Sequence, residues 1–285
     1  MMAGAAPVEI RPAHGLTETP AAPLEPPRTL TPSKITAFTS CPLAFRFSVI
    51  DRLPEPPSLP AVLGTLVHRA LQLLFTYVPE GARDRAAAEA ALRDAQRDLE
   101  AADPDYAALE LDAESGERLG RQAGALLDRY FEIEDPNAVR PIGLELDLEC
   151  EVDGVHLRGI IDRLDLLPDG RLAVVDYKTG RAPRAEQARS RLAGVQLYAL
   201  LCDAVLGRRP AVVRLLYLRD RVVVSAEPTE ISMRSVRQRA GAVWQAIERA
   251  CALDDFRPSP SPLCAWCGFQ QLCPAAGAST IPLAR

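Results

Sequence analysis

Lysine is almost absent from this chain: of its 33 basic residues only Lys34 and Lys178 are lysines, and the rest are arginine. An ATP-binding loop of the Gly-x-x-x-x-Gly-Lys-Ser/Thr type needs a lysine after glycine, and neither lysine stands in that setting, so a motor of that kind is excluded. A long apolar run is missing too. No uninterrupted stretch approaches the roughly 18 residues that read as a membrane span, and residues 1–27 have neither a basic start nor a compact apolar centre. The expectation is a cytoplasmic protein with no membrane partner. Aromatic residues make up only 5%, which leaves no evident platform for stacking the bases of a single strand. An excess of positive charge is also lacking: the formal net charge of -5 argues against a protein that coats nucleic acid through bulk charge. A local basic channel remains compatible with it.

What is present is an ordinary globular composition, 48% hydrophobic and 25% charged, over 285 residues, enough for one large domain. Seven cysteines without an export signal read as reduced thiols. Cys150, Cys202 and Cys251 stand alone in apolar surroundings and suit small core positions, whereas Cys264, Cys267 and Cys273 are bunched near the C-terminus.

Residues 1–28 are rich in Pro and Ala without hydrophobic periodicity and read as a disordered tail, followed by a single domain over 29–276 and a short tail over 277–285. Thr31-Pro32-Ser33 supplies an N-cap and a first-turn proline for a short helix reaching Phe47, with Cys41 inside it. The run Pro54–Pro60 breaks the chain before a helix over Ala61–Tyr77. An α-helical insert is expected at about 79–136, as two helices split near Asp103-Pro104. Strands are expected over Leu144–Val152, Val155–Leu167 and Leu172–Tyr177, with turns at Asp153-Gly154 and Pro168-Asp169-Gly170. A helix near Arg184–Leu206, strands near Val212–Arg219 and Val222–Pro228, and a helix over Ser232–Leu253 complete the chain. The order fits one α/β domain with a mixed central sheet flanked by helices.

Asp176 and Lys178 lie two apart at the end of an apolar strand, so both project from one face while Tyr177 points the other way. Asp162, on the preceding strand, is brought back beside Asp176 by the Pro-Asp-Gly turn. Two carboxylates held together repel unless a cation sits between them, and a hard divalent ion such as Mg²⁺ or Mn²⁺ meets that need. Taken alone the triplet is weak, because an acid two residues before a lysine is usually a solvated ion pair.

The surroundings strengthen it. Gly159-Ile160-Ile161-Asp162-Arg163, followed after a turn by Val174-Val175-Asp176-Tyr177-Lys178-Thr179-Gly180, resembles the nuclease core of RecB-family exonucleases of the PD-(D/E)XK superfamily. The likeness extends through Gly64-Thr65-Leu66-Val67-His68 and Gln196, spanning Leu30 to Pro274. It implies a restriction-endonuclease-like fold, with Asp162 and Asp176 as metal ligands, Lys178 as the catalytic lysine and His68 as a nitrogen ligand. It further implies that Gln196 positions the DNA backbone or the lysine and that Glu145 is an accessory acid. Asp147, Glu149 and Glu151 share the strand face of Glu145, so that face also reads as simply solvated. One departure stands out: the family's tyrosine four residues after the glutamine is here Leu200, and the nearest tyrosine is Tyr198. His156 lies beside a turn without an evident partner, and His14 falls in the tail.

Cys264-Ala265-Trp266-Cys267 with Cys273-Pro274 lets three thiols converge in a short loop, and a fourth is wanted. Similarity to the AddB branch implies Cys41 as that fourth ligand and a [4Fe–4S] cluster as the cofactor, although spacing alone equally allows zinc. Arg181, Arg184, Arg189 and Arg191 follow the active strand and suit a phosphate channel, or a merely solvated helix face. The resemblance implies a metal-dependent DNA exonuclease acting on single strands or ends in repair or recombination, with any helicase a separate partner. The competing readings are a non-catalytic DNA-binding or helicase-partner module and a sequence-specific endonuclease, the latter without a recognisable recognition domain.

Overall fold

The computed structural model describes residues 23–183 and 185–276, those of 185–195 as backbone only. Of the expected tails, residues 1–22 and 277–285 lie outside the described residues, while Leu24 packs against the core.

Helices α1 (Pro32–Ser40) and α2 (Pro42–Phe45) replace the single helix expected through Phe47, and a π-helical turn continues over Arg46–Ile50. The break falls at Cys41, which is extended (φ -159°, ψ 105°), because a residue before proline is pushed out of the α-helical region. Cys41 therefore sits in the joint between two helices and not inside one. Helix α3 (Leu59–Tyr77) starts at a Ser58 cap; it is long and apolar enough to cross a membrane by composition, but it packs against the protein interior through residues such as Leu66, Leu71 and Leu74.

Helices α4 (Arg85–Ala102), α5 (Pro104–Ala108) and α6 (Ala113–Ile133) follow, each capped by an aspartate, Asp84, Asp103 and Asp112, that accepts a backbone N–H. Asp103-Pro104 thus ends one helix and begins another, and the short α5 is an element the periodicity did not separate. Helices α7 (Ala185–Leu206) and α8 (Glu230–Leu253) come later, the latter opened by a Thr229–Ser232 capping box two residues before the expected start.

Five strands form one sheet in sequence order: β1 (Pro141–Val152), β2 (Val155–Leu166), β3 (Leu172–Lys178), β4 (Val212–Tyr217) and β5 (Val222–Ala226). Three neighbours pair antiparallel and β3–β4 pair parallel, with α7 as the crossover, so the sheet is mixed as expected. Asp153 and Gly154 both adopt positive φ, the geometry of a two-residue hairpin turn, and fix the β1–β2 register at Val152 opposite Val155.

Helices cover both faces of the sheet. Val174, Val213 and Leu215 join a core with α1, α2, α7 and α8, while Val175, Tyr177 and Leu216 join a second core with α3, α4 and α6. Central β3 is consequently buried on both sides, which is why its sequence is an apolar run interrupted only by Asp176 and Lys178.

Candidate metal centre and active site

The site is made where two strands part company. β2 pairs with β3 from Leu166–Leu172 up to Arg163–Val175 and stops, whereas β3 stays paired with β4 as far as Lys178–Tyr217. The carbonyls of Leu172 and Lys178 accept from Ala211 and Leu218 on the β4 side, so Tyr177, an odd position between them, turns its backbone groups towards the departed β2. Buried backbone groups need partners. Two side chains supply them: Asp162 Oδ2 accepts from the Tyr177 N–H at 2.7 Å, and His68 Nε2 lies 3.1 Å from the Tyr177 carbonyl.

That contact sets the histidine's chemistry. A carbonyl only accepts, so Nε2 carries a proton, and Nδ1 is left facing Asp162 Oδ2 at 3.5 Å. A neutral ring would present its lone pair to a carboxylate, an arrangement that wants a cation between them. Without one, a proton fills the role: burial depresses the imidazole pKa, but the Asp162 contact and the charges of Asp176 and Glu145 outweigh it and raise the value overall. Gly64, one turn before His68, faces the loop after β3, where an added methyl would just touch Thr179 Oγ1 at 3.4 Å.

The carboxylates are crowded in the same way. Burial, then the charge of Asp162, pushes Asp176 up to about 6, with Lys178 pulling against them. Glu145 is likewise raised, by burial and then by Asp162. Lys178 Nζ lies 2.6 Å from Asp176 Oδ2, yet that buried oxygen has no donor in hydrogen-bonding geometry. His68, Glu145 and Asp162 each offer one ligand atom, all within 4.8 Å of one another, and this is the one such set among the described residues. A nitrogen and carboxylate oxygens, short of positive charge and open on one side, make a donor set that suits a hard divalent cation.

A family model for the PD-(D/E)XK nuclease superfamily matches residues 29–274. The chain belongs to that superfamily. Among curated proteins it is similar to the Gene 69 proteins of Mycobacterium phage L5, 27% identical over 134 residues, and of Mycobacterium phage D29, 28% identical over 134 residues. Those matches cover 46% of this chain and 44% and 47% of the relatives, so the likeness spans about half of their length. Among solved structures, a protein of Eubacterium rectale provisionally designated an exonuclease shares the fold at a TM-score of 0.52, with 11% identity over 90% of this chain and 91% of that one.

In this PD-(D/E)XK fold the expected residues fall into three groups. Asp162, Asp176, Lys178, His68 and Glu145 come together. Glu145 does so through a backbone feature that no alternation predicts: its φ of 45° is left-handed, between the register pairs Leu144–Arg163 and Leu146–Ile161, and its side chain is half-buried while Asp147, Glu149 and Glu151 are exposed. The solvated-face reading holds for those three and fails for Glu145. A second group stands apart: Arg181 is exposed on the loop after β3, and the His156 ring pairs with Glu151, at 3.4 Å, at the far end of the hairpin. Arg184 lies outside the described residues, as do the side chains of Arg189 and Arg191 and the tail residue His14.

Gln196, half-buried, and Tyr198 form the third group, on α7. Leu200, where the family has its tyrosine, is fully buried in the core. Tyr198 packs so closely on β2 that a methyl at Gly159 would lie 2.9 Å from its ring. Burial, followed by the charges of Asp176, Asp162 and Glu145, raises the pKa of its hydroxyl, placing a tyrosine within electrostatic reach of the acids after all.

The four cysteines singled out in the sequence line one cavity of about 420 Å³, together with Phe45, Phe47 and Trp266. Cys41 Sγ accepts from Ser259 N at 3.4 Å and Cys264 Sγ from Ser261 N at 3.3 Å. Cys202 and Cys251 are core residues with thiols pushed up by burial, to about 12 and about 11, as their apolar settings imply.

Proposed function

We propose that this PD-(D/E)XK protein is a divalent-metal-dependent exonuclease that hydrolyses phosphodiester bonds in single-stranded DNA or at DNA ends, in repair or recombination. The observation that carries the reading is the fork between β2 and β3, where His68, Glu145 and Asp162 converge beside the buried Asp176 and its lysine. His68, Asp162 and Asp176 would hold Mg²⁺ or Mn²⁺, with Glu145 an accessory acid. Such an ion, when bound, polarises a phosphate oxygen and lowers the pKa of its water.

The chain's own groups do the rest. Lys178 is 41% exposed at its side chain and, although burial works against it, Asp176 raises its pKa, so it meets a phosphate as an ammonium. There it offsets negative charge growing on the phosphate oxygens and orients the attacking water. Gln196 on α7 is suited to positioning the DNA backbone or Lys178, and Arg181 and Arg184, immediately beyond β3, to gripping neighbouring phosphates. The exonuclease class draws on the RecB-like motifs and on the designation of the Eubacterium rectale fold neighbour.

For Cys41, Cys264, Cys267 and Cys273 the reading is a [4Fe–4S] cluster that staples the first helices to the C-terminal loop. It draws on the AddB-like spacing of these cysteines and on all four lining one cavity of about 420 Å³. Protein purified without oxygen should be brown and contain iron; a colourless, zinc-loaded preparation would discard this cofactor.

The central test is degradation of end-labelled linear and circular single-stranded DNA with Mg²⁺ or Mn²⁺, for the parent and for Asp176→Ala and Lys178→Ala. Loss of linear substrate alone, abolished by either substitution, is expected. Cleavage of circles would convert the reading to an endonuclease, and equal activity in all three proteins would leave a binding module. A helicase partner, if one exists, would raise degradation of duplex ends when added with ATP.

A further inference from the structure

The face of β2 and β3 turned away from the acids carries a second charged cluster, which the nuclease reading leaves unused. Arg163, next to Asp162, is 0% exposed, the largest side chain so enclosed among the described residues. Every nitrogen of its guanidinium is engaged: Nε and Nη2 donate to Asp165 Oδ2 at 3.1 and 3.0 Å, and Nη1 shares its two protons among Glu134 Oε1 at 2.6 Å, Tyr130 Oη at 3.2 Å and Tyr177 Oη at 2.8 Å. Tyr130 in turn donates to Glu134 at 2.7 Å, and the guanidinium lies over the Phe75 ring at 4.9 Å. Glu134 and Tyr130 come from the end of α6, and Glu134 is 29 residues upstream of Arg163.

Tyr177 joins this cluster to the metal centre. Its hydroxyl is held by Arg163 on the far side, its N–H and carbonyl are held by Asp162 and His68 on the near side, and its two chain neighbours are Asp176 and Lys178. Four of the residues assigned to the centre therefore take their position from one residue's backbone. A buried ionic network is costly to assemble and is worth keeping where it fixes a geometry. We propose that Tyr177 is a positioning residue for the metal centre, anchored through Arg163 to Glu134 and Tyr130, so that the end of α6 sets the geometry of the site from behind. This rests on the reading of His68, Asp162 and Asp176 as a metal centre.

Tyr177→Phe removes only the anchored hydroxyl, and Glu134→Gln weakens Arg163 from the α6 side; Arg163 itself is left intact because its loss strands two buried acids. The experiment measures free Mn²⁺ by electron paramagnetic resonance in titrations of the full chain, with kcat and KM on linear single-stranded DNA alongside and thermal melting as the folding control. Outer groups that orient metal ligands are worth about 10–100-fold in metal affinity or activity. Each variant is expected to melt cooperatively, to bind Mn²⁺ about tenfold or more weakly and to lose kcat with KM nearly unchanged. The double variant should lose little more than Tyr177→Phe alone, since both act through one anchor.

Folded Tyr177→Phe with parental Mn²⁺ affinity and kcat would overturn the proposal. Should the parent bind Mn²⁺ and the variants bind it less tightly while none cuts DNA, the nuclease reading fails and the positioning role stands. A parent that binds no Mn²⁺ would remove the metal centre and this inference together.

Discussion

On one face of β2 and β3, Asp165 and Glu134 close around the fixed guanidinium of Arg163; on the other, Asp162, Asp176 and Glu145 face one another with Lys178 and His68 at the margin. Each cluster centres on buried groups, Arg163 and Asp165 in one and Asp162 and Asp176 in the other, and both contain more acids than full-time cations, yet their hydrogen bonding differs. Asp165 receives two directed bonds from Arg163, and Glu134 receives one from Arg163 and one from Tyr130. Asp165 Oδ1 and Asp176 Oδ2 alike lack a donor in hydrogen-bonding geometry, but Asp176 faces only the Lys178 ammonium, 2.6 Å from that oxygen, and Asp162 depends on a backbone N–H freed by the separation of two strands. The first cluster holds both of its acids on one guanidinium through directed bonds and serves structure. The second is left short of positive charge, a cost in stability that makes sense if a ligand from outside supplies it.

The contrast is broken most directly at the residues themselves. Lys178→Ala or Asp176→Ala should lower kcat on DNA by about 10²–10⁴, the range for losing a positioned acid–base or charge-stabilising group. Asp176→Asn should do the same while raising the metal-free melting temperature, because it relieves a buried charge pressed against Asp162. An inactive variant that is also strongly destabilised would make the acid centre structural after all.

Across the sheet the expectation inverts. Arg163→Met leaves Glu134 and Asp165 buried without their cation and should cost about 3–5 kcal/mol, read as the urea midpoint at constant slope. A variant with parental stability would show that the guanidinium is not the element holding the back of the sheet.

Metal should act on one cluster only. Mn²⁺ at about 100 times its Kd should add about 2.7 kcal/mol of stability to the parent and much less to Asp162→Asn, measured by thermal melts with and without chelator. An equal gain in both proteins would move the ion elsewhere.

Acid should separate them more gently. The folded-state pKa of Asp176, about 6, exceeds the 3.8 of an unperturbed carboxyl, so between these values the folded chain keeps a proton that the unfolded chain has released. Metal-free stability should therefore rise as pH falls from 7 to 5, by on the order of 2 kcal/mol, and Glu145 and His68, both raised, act in the same direction. With Mn²⁺ present the proton competes with the ion and the trend should reverse. Urea midpoints at the two pH values, with chelator and with Mn²⁺, check both signs; a chelated protein less stable at pH 5 would contradict the first.

Much of the front cluster was legible in the sequence. Asp176 and Lys178 share a face because strand side chains alternate, and the Pro168-Asp169-Gly170 turn returns the chain so that Asp162 comes opposite, both consequences of periods only two residues long. His68 was reachable only by resemblance, since nothing local to α3 marks a histidine as facing a strand more than a hundred residues away. Glu145 was likewise reached by resemblance, and the alternation that grouped it with Asp147, Glu149 and Glu151 could not show its left-handed backbone. Cys41 was expected inside a helix, whereas the helix ends before it, ahead of Pro42.

The back cluster was not legible at all. Arg163 reads as one more arginine in a chain that uses arginine nearly everywhere, and Glu134 as one more acid at the end of a charged helix. By itself the sequence determined the strands, their turns, the helix caps and the nearness of Asp162 to Asp176, because each depends on backbone preferences acting over a few neighbouring residues. Only the tertiary structure decided which acids would be given a permanent cation and which left wanting one. That choice depends on where β2 leaves β3 and on what α3 and α6 bring to either side, contacts across tens of residues that no local pattern encodes.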